Sequence, residues 1–366
     1  MTVNAPDASS KNKYIQSVKV NGKKSNRSWV PDTLVNKGGT VDFVLGGKPN
    51  KSWGSAPSDA PPSYGDGRQP YLAGASPQTL KVEPGSASVA AYKVQALTEA
   101  PTAVRWKVSA PTGLTVTPAD GEFKLTGDGS GSKALTVAAG ADLKPGAYTV
   151  TVTAATSSGT TLPTVTLPVT VAARNSVLWN LNNNGISADD TNPQANFDTG
   201  GWSYSAKALE AVGVTPGANV SIAGFNFTWP NVAPGDADNI LVGGGGQVLN
   251  VQAAEGDTKL SLLGSAVFGA ASGTVTLTYT DGTTQQAEIG FSDWTLGGGF
   301  DQPSFGNVTA AHTTYRDVMG GGIDPVATYV FATAPIDLKP GKQLASLTLP
   351  TGAQGGVIHL FGVATA

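Results

Sequence analysis

Apolar and polar positions alternate with a period of two along most of this chain. The pattern is clear in Tyr14-Ile-Gln-Ser-Val-Lys-Val20, Thr40-Val-Asp-Phe-Val-Leu45, Val104-Arg-Trp-Lys-Val108 and Gly273-Thr-Val-Thr-Leu-Thr-Tyr279. That period sends successive side chains to opposite faces of a strand. The first run leads straight into Asn21-Gly22, a strong hairpin signal. The stretch Leu143-Lys-Pro-Gly-Ala-Tyr-Thr-Val-Thr-Val-Thr153 is a turn feeding a strand. Between 86 and 173 about seven short strands are expected, which is the count of an Ig-like sandwich, with Trp106 between its sheets. Beyond 174, strands are expected about every ten residues. They are Val220–Ile222, Ile240–Val242, Gln247–Val251, Leu260–Leu263, Val275–Tyr279, Gln286–Phe291, Tyr329–Ala332, Leu344–Leu349 and Val357–Val363, a number that fits a two-sheet jelly roll. The one convincing helix is Ala206–Val212, capped by Ser205, with Leu209 and Val212 on its inner face and Gly213 ending it.

The predicted class is therefore all-β, as tandem β-sandwiches: a partial sandwich tail, an Ig-like domain and a jelly-roll domain. The expected domains are 1–72 (tail plus linker), 73–173 (Ig-like spacer) and 174–366 (jelly roll). Residues 65–85, rich in Gly, Pro and Ser, read as linker.

Composition sharpens this picture. Of 366 residues 40% are apolar and 13% charged, with 47 Gly, 24 Pro and no cysteine. Thiolate metal sites, disulfides and cysteine nucleophiles are excluded. Net charge is −3, divided unevenly: residues 1–55 carry nine Lys/Arg against three Asp/Glu, and residues 174–366 carry six against fifteen. An acidic C-terminal half argues against nucleic acid as partner, since phosphate contacts need clustered cations. No run approaches the ~18 apolar residues of a membrane span. Met1 is followed by polar residues and no signal-peptide core, and the low charge with abundant Thr, Ala and Gly suits a bacterial protein that is secreted or held at the cell surface. The expectation is that the front of the parent protein is missing.

Candidate chemistry concentrates between Trp202 and Arg316. A flat aromatic ring covers the apolar face of a pyranose while amides, carboxylates and guanidinium groups take its hydroxyls. Trp202, Tyr204 and Trp229 are the aromatic candidates, with Asp238, Asn239, His312 and Arg316 as polar partners; the competing reading for each ring is burial in a core. Trp294 and His359 read as core and sheet residues. Asp236, Asp238 and Asn239 lie together in a turn and are a candidate structural calcium site, the alternative being side chains bonding nearby amides. The two histidines lack zinc-ligand spacing, and the Gly clusters 243–246, 297–299 and 320–322 lack phosphate-loop signatures. A glycosidase needs two carboxylates roughly 5–10 Å apart across a pocket. Asp189 and Asp190, adjacent in extended chain, do not easily face one another.

Five segments near the start, Asn12-Lys-Tyr-Ile-Gln-Ser17, Val20-Asn-Gly22, Gly38-Gly39, Gly47-Lys-Pro-Asn-Lys-Ser-Trp-Gly54 and Pro61-Pro-Ser-Tyr64, together resemble the C-terminal tail of glycoside hydrolase family 92. The resemblance implies a parent that is an exo-acting, calcium-dependent α-mannosidase whose general acid, general base and calcium ligands lie upstream, so none is assigned to any residue here. Residues 86–173 resemble the Ig-like spacers of multidomain glycosidases. The order Gly-Trp-Ser-Tyr-Ser, Phe-Thr-Trp-Pro, Tyr-Thr-Asp-Gly, Phe-Ser-Asp-Trp resembles a β-sandwich module appended to actinobacterial glycosidases. The function expected is that of a non-catalytic accessory region that binds a glycan, such as a mannose-containing one, or supports the missing catalytic domain. A purely structural spacer and a surface adhesion module that binds protein remain open as alternatives.

Overall fold

The computed structural model describes residues 1–30, 34, 37–56, 59–61, 70–97, 103–189, 196–251 and 253–366. Asp190, residues 62–64 of the family-92-like tail and residues 65–69 of the expected linker lie outside them. The chain forms two compact units, Met1–Pro70 and Tyr71–Ala366. Strands dominate both, as the alternation requires.

In the first unit, Tyr14–Val20 pairs antiparallel with Lys23–Ser25 and with Thr40–Gly46, and Thr2–Asn4 adds a parallel edge to the latter. Asn21 and Gly22 hold φ of 49° and 78°, the left-handed pair that a two-residue hairpin requires. Val18, Leu34 and Val41 form a small core against Ile15, Phe43 and Trp53. Among the described residues these three buried side chains make a marginal core for a sheet of this size.

The second unit opens with a sandwich of a five-stranded sheet (120–123, 104–109, 146–156, 165–171, 80–82) and a four-stranded one (71–76, 87–96, 130–139, 114–117). Alternate residues of Gly146–Thr156 point inward, so Val150, Val152 and Ala154 meet Tyr92, Leu135, Val137 and Leu167 in one core. Trp106 lies within it, 4% exposed. The segment read as a linker carries two strands instead, Tyr71–Ser76 and Leu80–Val82. Both lie at sheet edges, where short strands among turn residues are tolerated.

The terminal sandwich is built on Lys259–Tyr279, a single 21-residue strand where two short ones were expected. Its first half is buried residue after residue and its second half alternates. The change follows from what covers it. Leu260, Leu262 and Ala266 face one core, whereas Leu263 and Val267 face another. A strand covered on both faces reads as a continuous apolar run. It pairs with Gln354–Thr365, Thr284–Phe291, Leu344–Thr348 and Thr328–Ala332 in a nine-stranded sheet. A small sheet (186–187, 202–205, 316–318, 323–324) and the hairpin Asn219–Ile222/Phe225–Thr228 supply residues to the second core.

The helix forms as Ala206–Ala211, with the Ser205 hydroxyl accepting from Ala208 N at 3.0 Å and Gly213 following at φ 84°. Leu209 is buried, but Val212 is 47% exposed. Val212 has left the helix to become its C-cap, so the expected inner-face position no longer applies.

Candidate functional site

Side chains from distant segments meet beneath the small sheet. The Tyr204 and Phe197 rings lie 4.8 Å apart edge-to-face, Tyr204 and Trp294 lie 5.1 Å apart, and Trp229 stacks on Phe361 at 4.5 Å and 16°. Tyr204 is 0% exposed and Trp229 3%. The Tyr204 hydroxyl donates to Tyr329 O at 2.7 Å, and burial raises its pKa far above the ordinary phenol value. Two of the three expected sugar-facing rings are thus core residues. Tyr204 sits over the large sheet, and its polar end is satisfied there by Ser265 and Tyr329 O. Trp294 is core too, as expected.

Asp238 and Asn239 are also internal, 1% and 0% exposed. The Asp238 carboxylate accepts from Gly185 N (3.0 Å), Ile186 N (2.8 Å) and Asn239 Nδ2 (2.7 Å). This clamps the 182–187 loop to the 238–239 turn. Burial pushes its pKa up to about 7, against the pull of these donors. Because Asn239 Nδ2 faces the carboxylate, Asn239 Oδ1 faces His359 Nδ1 at 2.8 Å, which makes Nδ1 the protonated nitrogen of a neutral imidazole. Burial holds that imidazole down at about 3.

The same contacts describe the candidate calcium residues. Asp236 is exposed on the turn while the oxygens of Asp238 and Asn239 point inward to amide and imidazole donors. Among the described residues no group of three acidic or histidine side chains could hold a metal ion. The signal for Asp238 was correct in kind, an Asp bonding amides, but the amides belong to a loop more than 50 residues away.

Trp202 and Arg316 do come together, half-buried at the surface. The guanidinium lies 4.6 Å from the Trp202 ring centroid and 5.4 Å from that of Trp294, and Nη2 pairs with Asp324 Oδ2 at 2.8 Å. The partner Asp324 was legible: Gly320-Gly321-Gly322, all at positive φ, fold the chain so that Arg316 and Asp324 are cross-strand partners. Beside them the Tyr315 hydroxyl donates to Asp189 Oδ2 at 2.7 Å, and Ser205 donates to Asp189 Oδ1. Burial, reinforced by the Asp189 carboxylate, raises the Tyr315 pKa. Ser187 donates to the buried Asp317 at 2.7 Å. His312 stands exposed, its ring stacked on Tyr329 at 4.6 Å.

Asp189 also lines a cleft of about 760 Å³ between the helix and the 229–234 turn. Its walls are mainly apolar, from Leu209, Val214, Pro216 and Pro234, with Lys207 and Glu210 beside Asp189. Sequence reasoning passed over Lys207 and Glu210. Their signal was the capped helix itself, whose outer positions overlook this cleft. The cleft can hold a small ligand with an apolar face and hydrogen-bonding edges. Two of its carboxylates are engaged: Asp189 with two hydroxyls and Asp238 with amides.

Comparison with known proteins gives two family matches. Residues 173–354 match the AziU2-like beta-sandwich domain, and residues 1–47 match the Glycosyl hydrolase family 92 catalytic domain. The matches fit the C-terminal part of a family 92 protein followed by a β-sandwich. An uncharacterized secreted glycosidase of Arthroderma benhamiae is 41% identical over 61 residues, 17% of this chain; the chain spans 8% of that relative's length. Among solved structures, the Caenorhabditis elegans MSP family member WR4 aligns over 28% of this chain and 98% of its own at 12% identity and TM-score 0.21. A family 123 glycoside hydrolase from Clostridium perfringens aligns over 31% of this chain and 26% of its own at 10% identity and TM-score 0.22.

Proposed function

We propose that this chain is the non-catalytic accessory region of a secreted α-mannosidase-like glycosidase of bacterial origin, held at the cell surface or released. In this reading the terminal sandwich binds a neutral glycan, such as a mannose-containing one, in the cleft between the helix and the 229–234 turn. The rest of the chain supports the catalytic domain. The observation that carries the accessory reading is the family 92 match at residues 1–47 ahead of a β-sandwich match at 173–354. The mixed lining of the cleft supports the glycan part, with Lys207, Glu210 and Asp189 as hydrogen-bonding edges. The Trp202–Arg316–Asp324 cluster is proposed as the polar surface leading to it.

A second reading is favoured by the burial of Tyr204 and Trp229: both sandwiches are structural and bind nothing. Glycan-array binding of the full chain separates the two. Binding that falls on Lys207→Ala or Glu210→Ala supports the first, and no binding to any glycan removes it. Release of mannose from an aryl α-mannoside by the purified chain would overturn both.

A further inference from the structure

We propose a second carbohydrate contact, resting on the glycan reading above: the two loop tips that carry Phe268 and Phe300. These rings are 66% and 92% exposed. Exposed phenyl rings are costly to hold in water, and both tips are built to hold them there.

Phe268 stands on a bulge where the long strand loses register with Gln354–Thr365 between Val267 and Ala271. Its φ is 62°, a left-handed value that bulky residues avoid. The facing strand makes room through glycine. A Cβ on Gly356 would lie 2.1 Å from Val267 O, and one on Gly355 would lie 2.4 Å from Ala270 O. Phe300 follows four consecutive left-handed residues, Leu296 to Gly299, with φ from 50° to 94°. One carboxylate ties the two tips together. Asp293 Oδ2 accepts from Gly269 N at 3.0 Å, while Oδ1 accepts from Thr295 N at 2.9 Å, Thr295 Oγ1 at 2.7 Å and Gly297 N at 3.3 Å.

The charge of the chain segment that carries both tips narrows the ligand, with Arg316, 5.4 Å from the Trp294 ring centroid, already paired to Asp324. From Leu260 to Tyr315 the chain contains no Lys or Arg, while Asp281, Glu288, Asp293 and Asp301 are acidic. Anionic lipid surfaces, phosphates and nucleic acids are disfavoured. Asp301 and Gln302, both exposed, flank Phe300 with hydrogen-bonding groups. Exposed rings with an amide and a carboxylate nearby in the chain fit the C–H face and the hydroxyls of a neutral pyranose.

The test uses the full chain on an array of neutral and acidic glycans, followed by titration with a soluble neutral oligosaccharide that binds. The Phe268→Ala/Phe300→Ala double variant should bind at least tenfold more weakly, with an unchanged thermal midpoint because neither ring packs in a core. Leu72→Ser, at an exposed position of the first sandwich, should bind as wild type. If wild type binds and the double variant binds equally well, the tips are not a contact and the cleft reading stands. If wild type binds no glycan, the glycan reading falls and takes the tips with it. Binding confined to acidic glycans, or a marked loss of stability in the double variant, also overturns the assignment.

Discussion

The buried relay Asp238–Asn239–His359 makes stability depend on pH in a way that only single substitutions reveal. His359 titrates near 6.5 when unfolded and near 3 when folded. Its depressed pKa contributes stability that is present above pH 6.5 and lost as pH falls towards 3. Asp238 titrates near 3.8 when unfolded and near 7 when folded. Its raised pKa contributes stability that is present below pH 3.8 and lost as pH rises towards 7. At 1.36 kcal/mol per unit the full effects are about 5 and about 4 kcal/mol. Between pH 4 and 6.5 the folded state holds one proton on Asp238, the unfolded state holds one on histidine, and the two slopes cancel.

Removing either group exposes the other. From pH 4 to 6.5, Asp238→Asn should gain about 3 kcal/mol relative to wild type, and His359→Asn should lose about 3 kcal/mol, each at about 1.4 kcal/mol per pH unit. The assay is urea unfolding followed by tryptophan fluorescence at several pH values, read as variant-minus-wild-type differences so that carboxylates common to all three proteins drop out. Flat differences, or two differences of the same sign, would refute the idea that burial rather than local donors governs these two groups.

Three further outcomes are expected. Gly356→Ala would drive a Cβ to 2.1 Å from one backbone oxygen and 2.5 Å from another, costing about 3 kcal/mol in urea unfolding because neither oxygen can move without breaking the bulge. Trp229→Ala should cost about 3–5 kcal/mol, as for a buried stacked ring; a variant of wild-type stability that had lost only glycan binding would restore Trp229 as a ligand contact. Ser205→Ala removes the helix cap and a hydroxyl that donates to Asp189, and should lower stability by about 1–2 kcal/mol in the same assay.

What could be read ahead of the structure was local. Period-two runs gave the strands of both sandwiches, Asn21-Gly22 gave the first hairpin, and Ser205 gave the helix start, because each depends on residues within a few positions. The extent of the long strand was less legible. Leu260-Ser-Leu-Leu-Gly-Ser-Ala-Val267 does not alternate, since two different cores cover it, and the run reads as a short isolated strand. The fate of the aromatics was least legible. Trp202, Tyr204 and Trp229 lie in similar polar surroundings along the chain, yet only Trp202 reaches the surface. The difference is made by Phe361 and Tyr329, more than 100 residues later, which supply the stacking partner and the hydroxyl acceptor.

That distribution decides where aromatic rings reach the surface of this sandwich. The nine-stranded sheet has a core on each face, and the second of these consumes Tyr204, Trp229, Trp294, Phe197 and Phe361. The two most exposed phenyl rings, Phe268 and Phe300, stand where the ladder is interrupted or has ended. Their places are the bulge at 268–270 and the left-handed turn at 296–299, each dependent on glycine for its backbone path. The Gly-rich turn at 320–322 obeys the same logic, since it brings Asp324 back to Arg316 above the Trp202 ring. The glycines that look like slack in the sequence are thus the positions that let a fully packed sheet present aromatic and charged groups at its margin.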